Sequence, residues 1–164
     1  MQSLIKQTCC YKIAITGAMA SGKSYIAEKM AKEMNCLYFS VDNWVAQNHK
    51  KYCKYTKEEI KKYLSEKNYI QFLKSIEKPF VKPLLQEIHK LTKKHHKIVF
   101  EVPLLFELSI QNAFNDVILV KTTKWKQTYY ANKRKQDLVL MKRLNARQIE
   151  VGKKQLMVDK VILN

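Results

Sequence analysis

Eight consecutive residues, Gly17-Ala18-Met19-Ala20-Ser21-Gly22-Lys23-Ser24, place the tightest constraint on what this chain can fold into. Two glycines separated by four residues, followed by Lys and a hydroxyl residue, satisfy the pattern G-x-x-x-x-G-K-[ST], which needs a strand before it and a helix after it. Both flanks agree. Tyr11-Lys12-Ile13-Ala14-Ile15-Thr16 is a short, mostly apolar run of strand character. Residues 24–34 have helical period, with Ile26, Met30 and Met34 on one face and Ala27 and Ala31 beside them. The chain holds only three glycines, and two stand at the required positions, so the match does not come from a glycine-rich composition.

The chemistry explains the spacing. Glycines let the backbone curl until its N–H groups converge, and the helix that follows turns its positive dipole end to the same point. A nucleoside triphosphate fits such a cradle, with Lys23 reaching the β- and γ-phosphates and the Ser24 hydroxyl taking one position on Mg²⁺. ATP and Mg²⁺ are the expected cofactors, held by Gly17, Ala18, Met19, Ala20, Ser21, Gly22, Lys23 and Ser24.

At 164 residues the chain is one domain's worth, long enough to bury a core. Its formal charge is +17, yet of 31 basic residues only Arg134, Arg143 and Arg147 are arginines. Nucleic-acid readout favours Arg forks and a localised basic face, whereas these lysines are spread from Lys6 to Lys160. The charge therefore reads as solvated surface that attracts anionic substrates, and a nucleic-acid partner is not expected. Cys9, Cys10, Cys36 and Cys53 form neither a C-x-x-C metal pattern nor a disulfide framework, which fits a reducing cytoplasm. Lys6, a partly apolar run and Ala18-Met19-Ala20-Ser21 mimic a signal peptide, but Lys12 interrupts the run and cleavage would cut the phosphate loop. No run approaches the ~18 apolar residues of a membrane span.

Further along, Leu37-Tyr38-Phe39-Ser40-Val41 reads as a second strand, with Asp42-Asn43 capping the next helix. A carboxylate there lies on the ligand edge of a parallel sheet. Thr56 and Glu59 form a capping box before Ile60, Tyr63 and Leu64. Tyr69, Ile70, Phe72, Leu73 and Ile76 make one helix face. Pro79 breaks or restarts the chain, and Pro83 opens a helix with Leu84, Ile88 and Leu91 on its apolar side. His89, His95 and His96 lack metal-ligand spacing and read as surface residues. Residues 97–102, 116–120 and 160–163 are three more strands, with a basic helical arm over 124–135 and a helix over 138–157 between the last two. Strands alternating with helices predict an α/β, three-layer P-loop kinase fold around a mostly parallel five-stranded sheet.

The segment Glu101-Val102-Pro103-Leu104-Leu105-Phe106-Glu107 resembles the signature of dephospho-coenzyme A kinases, in which an acid, Val-Pro-Leu-Leu and a later Glu follow the third strand. The order of other motifs is similar to that family's: Ile15-Thr16-Gly17 into the phosphate loop, Asp42 at the end of the second strand, and Glu77-Lys78-Pro79 where the family has His-Pro. Arg143-Leu144-Asn145-Ala146-Arg147-Gln148 and Asp159-Lys160-Val161-Ile162-Leu163-Asn164 resemble its late Arg-helix and last strand. The resemblance implies transfer of phosphate from ATP to the ribose 3′-hydroxyl of dephospho-coenzyme A. It implies that Asp42 orients or deprotonates the hydroxyl and that Lys23 holds the phosphates. Arg134 would close over them with Arg143 or Arg147 assisting, and Glu101 would hold the metal through water or place the acceptor. It also implies one domain over 1–164, with a helical acceptor-binding region at 43–96 and a lid at 124–148.

Departures from the pattern are specific. Ser40 replaces the first acid of the family's Asp-x-Asp, and Ala18 and Ala20 replace glycines. Tyr25 occupies a nucleotide-binding position that is usually a hydroxyl residue. The family continues past Asn164 through a loop near the adenine and a helix that covers the sheet, so a shortened relative that binds nucleotide poorly is an alternative reading. Another small-metabolite or nucleoside kinase, or a basic nucleic-acid-associated ATPase, are the other two.

Overall fold

The computed structural model describes residues 9–164, and Lys6 of the signal-like run lies outside them. Five strands form one sheet: β1 (Tyr11–Thr16), β2 (Leu37–Ser40), β3 (Lys97–Glu101), β4 (Asp116–Lys121) and β5 (Lys160–Leu163). Their spatial order is β2-β3-β1-β4-β5, and every adjacent pair is parallel, including β1 with both β3 and β4. Ile13 lies opposite Val99, Ala14 opposite Val117, and Phe39 opposite Phe100.

Both faces of this sheet are covered, so its central strands are apolar at consecutive positions rather than alternate ones. Against one face, α1 (Lys23–Glu33) packs Ala27 and Ala31 onto Ile13, Ile15, Val99, Ile118 and Val120. Against the other, α2 (Val41–Tyr52) and α4 (Tyr69–Thr92) cover Ala14, Ile98 and Phe100 with Val41, Leu84 and Ile88. A short α3 (Lys57–Tyr63) starts with the expected capping box. The Thr56 hydroxyl accepts from Glu59 N at 3.2 Å, and Glu59 returns a carboxylate oxygen to Thr56 N at 2.7 Å. Rings of Trp44, Tyr52 and Phe80 join α2 to α4, while those of Tyr55, Tyr63 and Phe72 join α3 to α4.

Three expectations are corrected. Pro79 does not break the chain: α4 runs through Pro79 and Pro83 without interruption for 24 residues. Each internal proline costs about 3 kcal/mol and leaves one carbonyl without its helical N–H. The carbonyl freed by Pro79 belongs to Ser75, and both residues are exposed, so water can replace the lost bond. A buried stripe of Leu73, Phe80, Leu84 and Ile88 spans both prolines and keeps the helix continuous through them. The helix expected over 138–157 is two, α6 (Leu138–Ala146) and α7 (Val151–Gln155), following α5 (Lys124–Lys133). Finally, Ser40 rather than Asp42 or Asn43 caps α2, its hydroxyl accepting from Asn43 N at 3.4 Å.

The break between α6 and α7 has a polar cause. Lys154, fully buried, sets its ammonium 2.8 Å from a Glu107 carboxylate oxygen and donates to Gln148 at 3.2 Å. The same Glu107 oxygen accepts from Ile149 N at 2.7 Å. Removing one member of a buried pair strands the other's charge. Lys154→Ala should therefore lose about 3–5 kcal/mol in denaturant unfolding, and the double variant Lys154→Met with Glu107→Leu should recover most of it.

Candidate functional site

In a parallel sheet that turns outward in opposite directions from its central strand, ligands bind beyond the C-terminal strand ends at that switch point. Here β1 is that strand, with β3 on one side and β4 on the other. The loop after β1 carries residues 17–24, β3 ends in Glu101, and β2 runs directly into the first turn of α2, which holds Asp42.

The phosphate loop has the close approaches that its glycines are needed for. A Cβ on Gly17 would come within 2.6 Å of the Val120 carbonyl oxygen. Gly22 has φ +87°, and a Cβ there would fall 2.0 Å from the Asn164 amide nitrogen. Ala20 adopts φ 60°, the left-handed conformation for which glycine is usual. The loop is also tied to the rest of the sheet. Asn164, just past β5, donates to the Ser21 carbonyl at 3.0 Å, and Asn145 of α6 accepts from Met19 N at 3.0 Å. These two asparagines stand inside motifs visible in the sequence, but nothing in their spacing signals that they brace the loop.

Glu101 is the centre of the site. It is 4% exposed, and the Ser24 hydroxyl donates to one carboxylate oxygen while the Tyr38 hydroxyl donates to the other, both at 2.6 Å. The Lys23 ammonium stands 3.9 Å from the first oxygen. Burial lowers the Lys23 pKa, with the Glu101 and Asp42 carboxylates opposing the shift and Arg134 and Lys154 adding to it. Burial and the bond to Glu101 raise the Tyr38 phenol far above its usual value, so it remains a donor at all working pH. Tyr38 was not foreseen, because an aromatic in a strand reads first as core.

Asp42 faces the same charges. Crowding by protein raises its carboxyl above the usual range, Lys23 and Arg147 oppose that shift, and Glu101 reinforces it. Asp42 also lines a cavity of about 240 Å³ whose other walls include Val45, Phe80, Leu104 and Leu144. The polar groups of this cavity are Asp42, His49, Glu77 and Arg147. His49 Nε2 and Arg147 Nε are buried there without a hydrogen-bond partner.

The three arginines divide. Arg134 lines a second cavity, of about 630 Å³, above the phosphate loop, together with Ala20, Gly22, Tyr25, Tyr130, Lys133 and Asn164. Arg143 instead donates to the Leu64 carbonyl and lies over the Tyr69 ring at 5.7 Å. Arg147 is ion-paired with Glu77 of α4. Both are thus engaged on the side of α3 and α4. Among the described residues no group of three His, Cys, Asp or Glu is placed to bind a metal. Ser24 and Glu101 are hard oxygen donors that suit Mg²⁺, which keeps few protein ligands when phosphates supply the rest.

A model of the dephospho-CoA kinase family matches residues 56–164, two thirds of the chain and all beyond the phosphate loop. The chain belongs to the dephospho-CoA kinase family. Glycine loop and family match are thus separate observations on separate residues. Among solved structures, TT1252 from Thermus thermophilus is 20% identical with a TM-score of 0.69, covering 95% of this chain and 89% of that one. Dephospho-CoA kinase from Campylobacter jejuni is 20% identical at 0.54, covering 93% and 87%. Deoxyadenosine kinase from M. mycoides with bound dATP is 18% identical at 0.52, covering 93% and 90%. At such identities these likenesses show the shared P-loop kinase fold. No curated protein matches the chain. No described helix is long and apolar enough to cross a membrane.

Glu101 loses a charge-assisted donor in Tyr38→Phe. The variant should be about 1–3 kcal/mol less stable by urea unfolding, and Ser24→Ala should behave alike because it removes the matching donor.

Proposed function

We propose that this chain transfers the γ-phosphoryl group of ATP to the ribose 3′-hydroxyl of dephospho-coenzyme A, giving coenzyme A. The observation that carries the reading is the position of Asp42, which lines the apolar cavity while sharing an electrostatic environment with Lys23 and Glu101. A hydroxyl presented from that cavity would meet a carboxylate on the phosphate side. The apolar walls suit an adenosine end, and the unpartnered His49 Nε2 and Arg147 Nε offer polar contacts to it.

In this reading the cavity belongs to an acceptor-binding region over 43–96, and 124–148 is a lid within one domain. The backbone N–H groups of the loop and Lys23 hold the phosphates, while Ser24 and Glu101 hold Mg²⁺, Glu101 through water. Bound Mg²⁺ supplies neutralising charge for a transfer that depends mainly on positioning and electrostatics. Asp42 takes the proton of the attacking hydroxyl, and its raised pKa makes it a better base than a solvated carboxylate. Arg134 brings positive charge from the lid, whereas Arg143 and Arg147 serve the acceptor side through Leu64, Tyr69 and Glu77.

The deciding measurement is coenzyme A formation by the purified chain with ATP, Mg²⁺ and dephospho-coenzyme A. Lys23→Ala should weaken ATP binding, and Asp42→Asn should keep it while slowing transfer by about 10²-fold or more. ATP bound without coenzyme A formed, but with a nucleoside or shikimate phosphorylated, would replace this reading by another kinase specificity.

Asp42 also links function to stability. Because folding raises its pKa, the folded state disfavours the ionised form. That cost is absent well below the ordinary carboxylate pKa, grows as pH rises through the folded value, and is complete above it. Asp42→Asn should therefore melt higher than the parent at pH 7, with the difference closing in acid, as calorimetry across pH would show.

A further inference from the structure

Helix α5 carries a feature that neither the fold nor phosphoryl transfer uses. Trp125 is 72% exposed and Tyr129 is 51% exposed, yet the two rings stack on each other, 5.7 Å apart with planes 12° from parallel. Tyr130 stands edge-on to Tyr129 at 5.6 Å. Two large rings held open to water cost hydrophobic free energy, and even stacked on each other both residues remain more than half exposed.

Their neighbours are cations. On an α-helix, residues four apart form rows. One row reads Trp125, Tyr129, Lys133, and the next reads Lys126, Tyr130, Arg134. Both begin near the exposed rings and end at Lys133 and Arg134, which line the cavity above the phosphate loop with Tyr130 and the 62%-exposed Tyr25. Helix α5 contains no acidic residue. Lys126, Lys133, Arg134 and Lys135 take part in none of the ion pairs among the described residues. The sequence spreads its lysines too evenly to suggest a basic face, but the helix gathers this group beside stacked rings.

We propose that this face of α5 binds single-stranded nucleic acid, with bases stacked on Trp125 and Tyr129 and phosphates paired to Lys126, Lys133 and Lys135. Stacking platforms bordered by mobile cations bind single strands with little sequence preference, since every base has a π-face and every linkage a charge. From Trp125 to Lys133 the helix rises about 12 Å, enough for about three stacked nucleotides at ~3.4 Å each. A protein partner would also value exposed rings, but it would have to bring carboxylates to four cations. A polynucleotide brings the charge with every ring.

The test is fluorescence anisotropy of a labelled 12-nucleotide oligo(dT) with the full chain at 50–200 mM salt, alongside ATP affinity and sedimentation velocity. Saturable binding is expected, with log K falling against log salt at a slope near −2, about −0.7 for each of three phosphates. Trp125→Ala with Tyr129→Ala should weaken it at least tenfold and leave the slope unchanged. Lys126→Ala with Lys133→Ala should reduce the slope by about 1.4. These side chains lie on the surface, and equal melting temperatures would show that the variants fold. Absence of binding at 50 mM salt would overturn the proposal, as would binding indifferent to loss of the two rings, which would mark diffuse charge attraction. Two other outcomes also overturn it: a ring variant that loses only ATP affinity, placing the rings at the nucleotide, or one that loses only self-association.

Discussion

A carboxylate taken out of water costs several kcal/mol unless donors meet it, and the arrangement around Glu101 is organised by that requirement. Its partners come from two elements, Ser24 and Lys23 from α1 and Tyr38 from β2, while Glu101 itself ends a third, β3. Satisfying one acid therefore fixes the register of β2 against β3, the seating of α1 on the sheet, and the direction of the lysine that a phosphate would meet. Because the sheet is parallel, all of these groups arrive at the same edge. Structure and chemistry here draw on the same few hydrogen bonds.

Two further polar ties bring the second half of the chain to that edge. Asn145 and Asn164 brace the phosphate loop from α6 and from beyond β5. Lys154 and Glu107 hold the turn between α6 and α7 through Gln148 and Ile149, next to Arg147, which lines the Asp42 cavity. The loop offers a backbone suited to an anion, but its shape depends on residues more than a hundred positions away. The opposite tendency appears at Asp42 and on α5, where a crowded carboxylate and uncovered rings are less stable than their surroundings require. Sites of that kind are where function is sought, because folding alone does not select them.

Much of the fold was legible because local signals and global arrangement agree. The five apolar runs became the five strands, the helix after the loop formed as its period indicated, and Thr56 and Glu59 made their capping box. Signals failed where two local rules competed. Pro79 and Pro83 read as a break, but an apolar stripe buried across both outweighed them. Ser40, read as a substitution in an acidic pair, captured the cap that Asp42 seemed to hold and left that carboxylate free to line the cavity.

What the sequence determined alone was the chemistry that depends on neighbours within a turn or two: the glycine loop, the lysine and hydroxyl that follow it, and a sheet of buried parallel strands. The tertiary structure alone decided which distant groups share a site. It placed Tyr38 on Glu101, set Arg134 above the loop, and turned Arg143 and Arg147 toward α3 and α4. The reason is range. Helix period, capping and turn formation act over a few residues, whereas the burial of a charge is settled by whichever segments the sheet brings together.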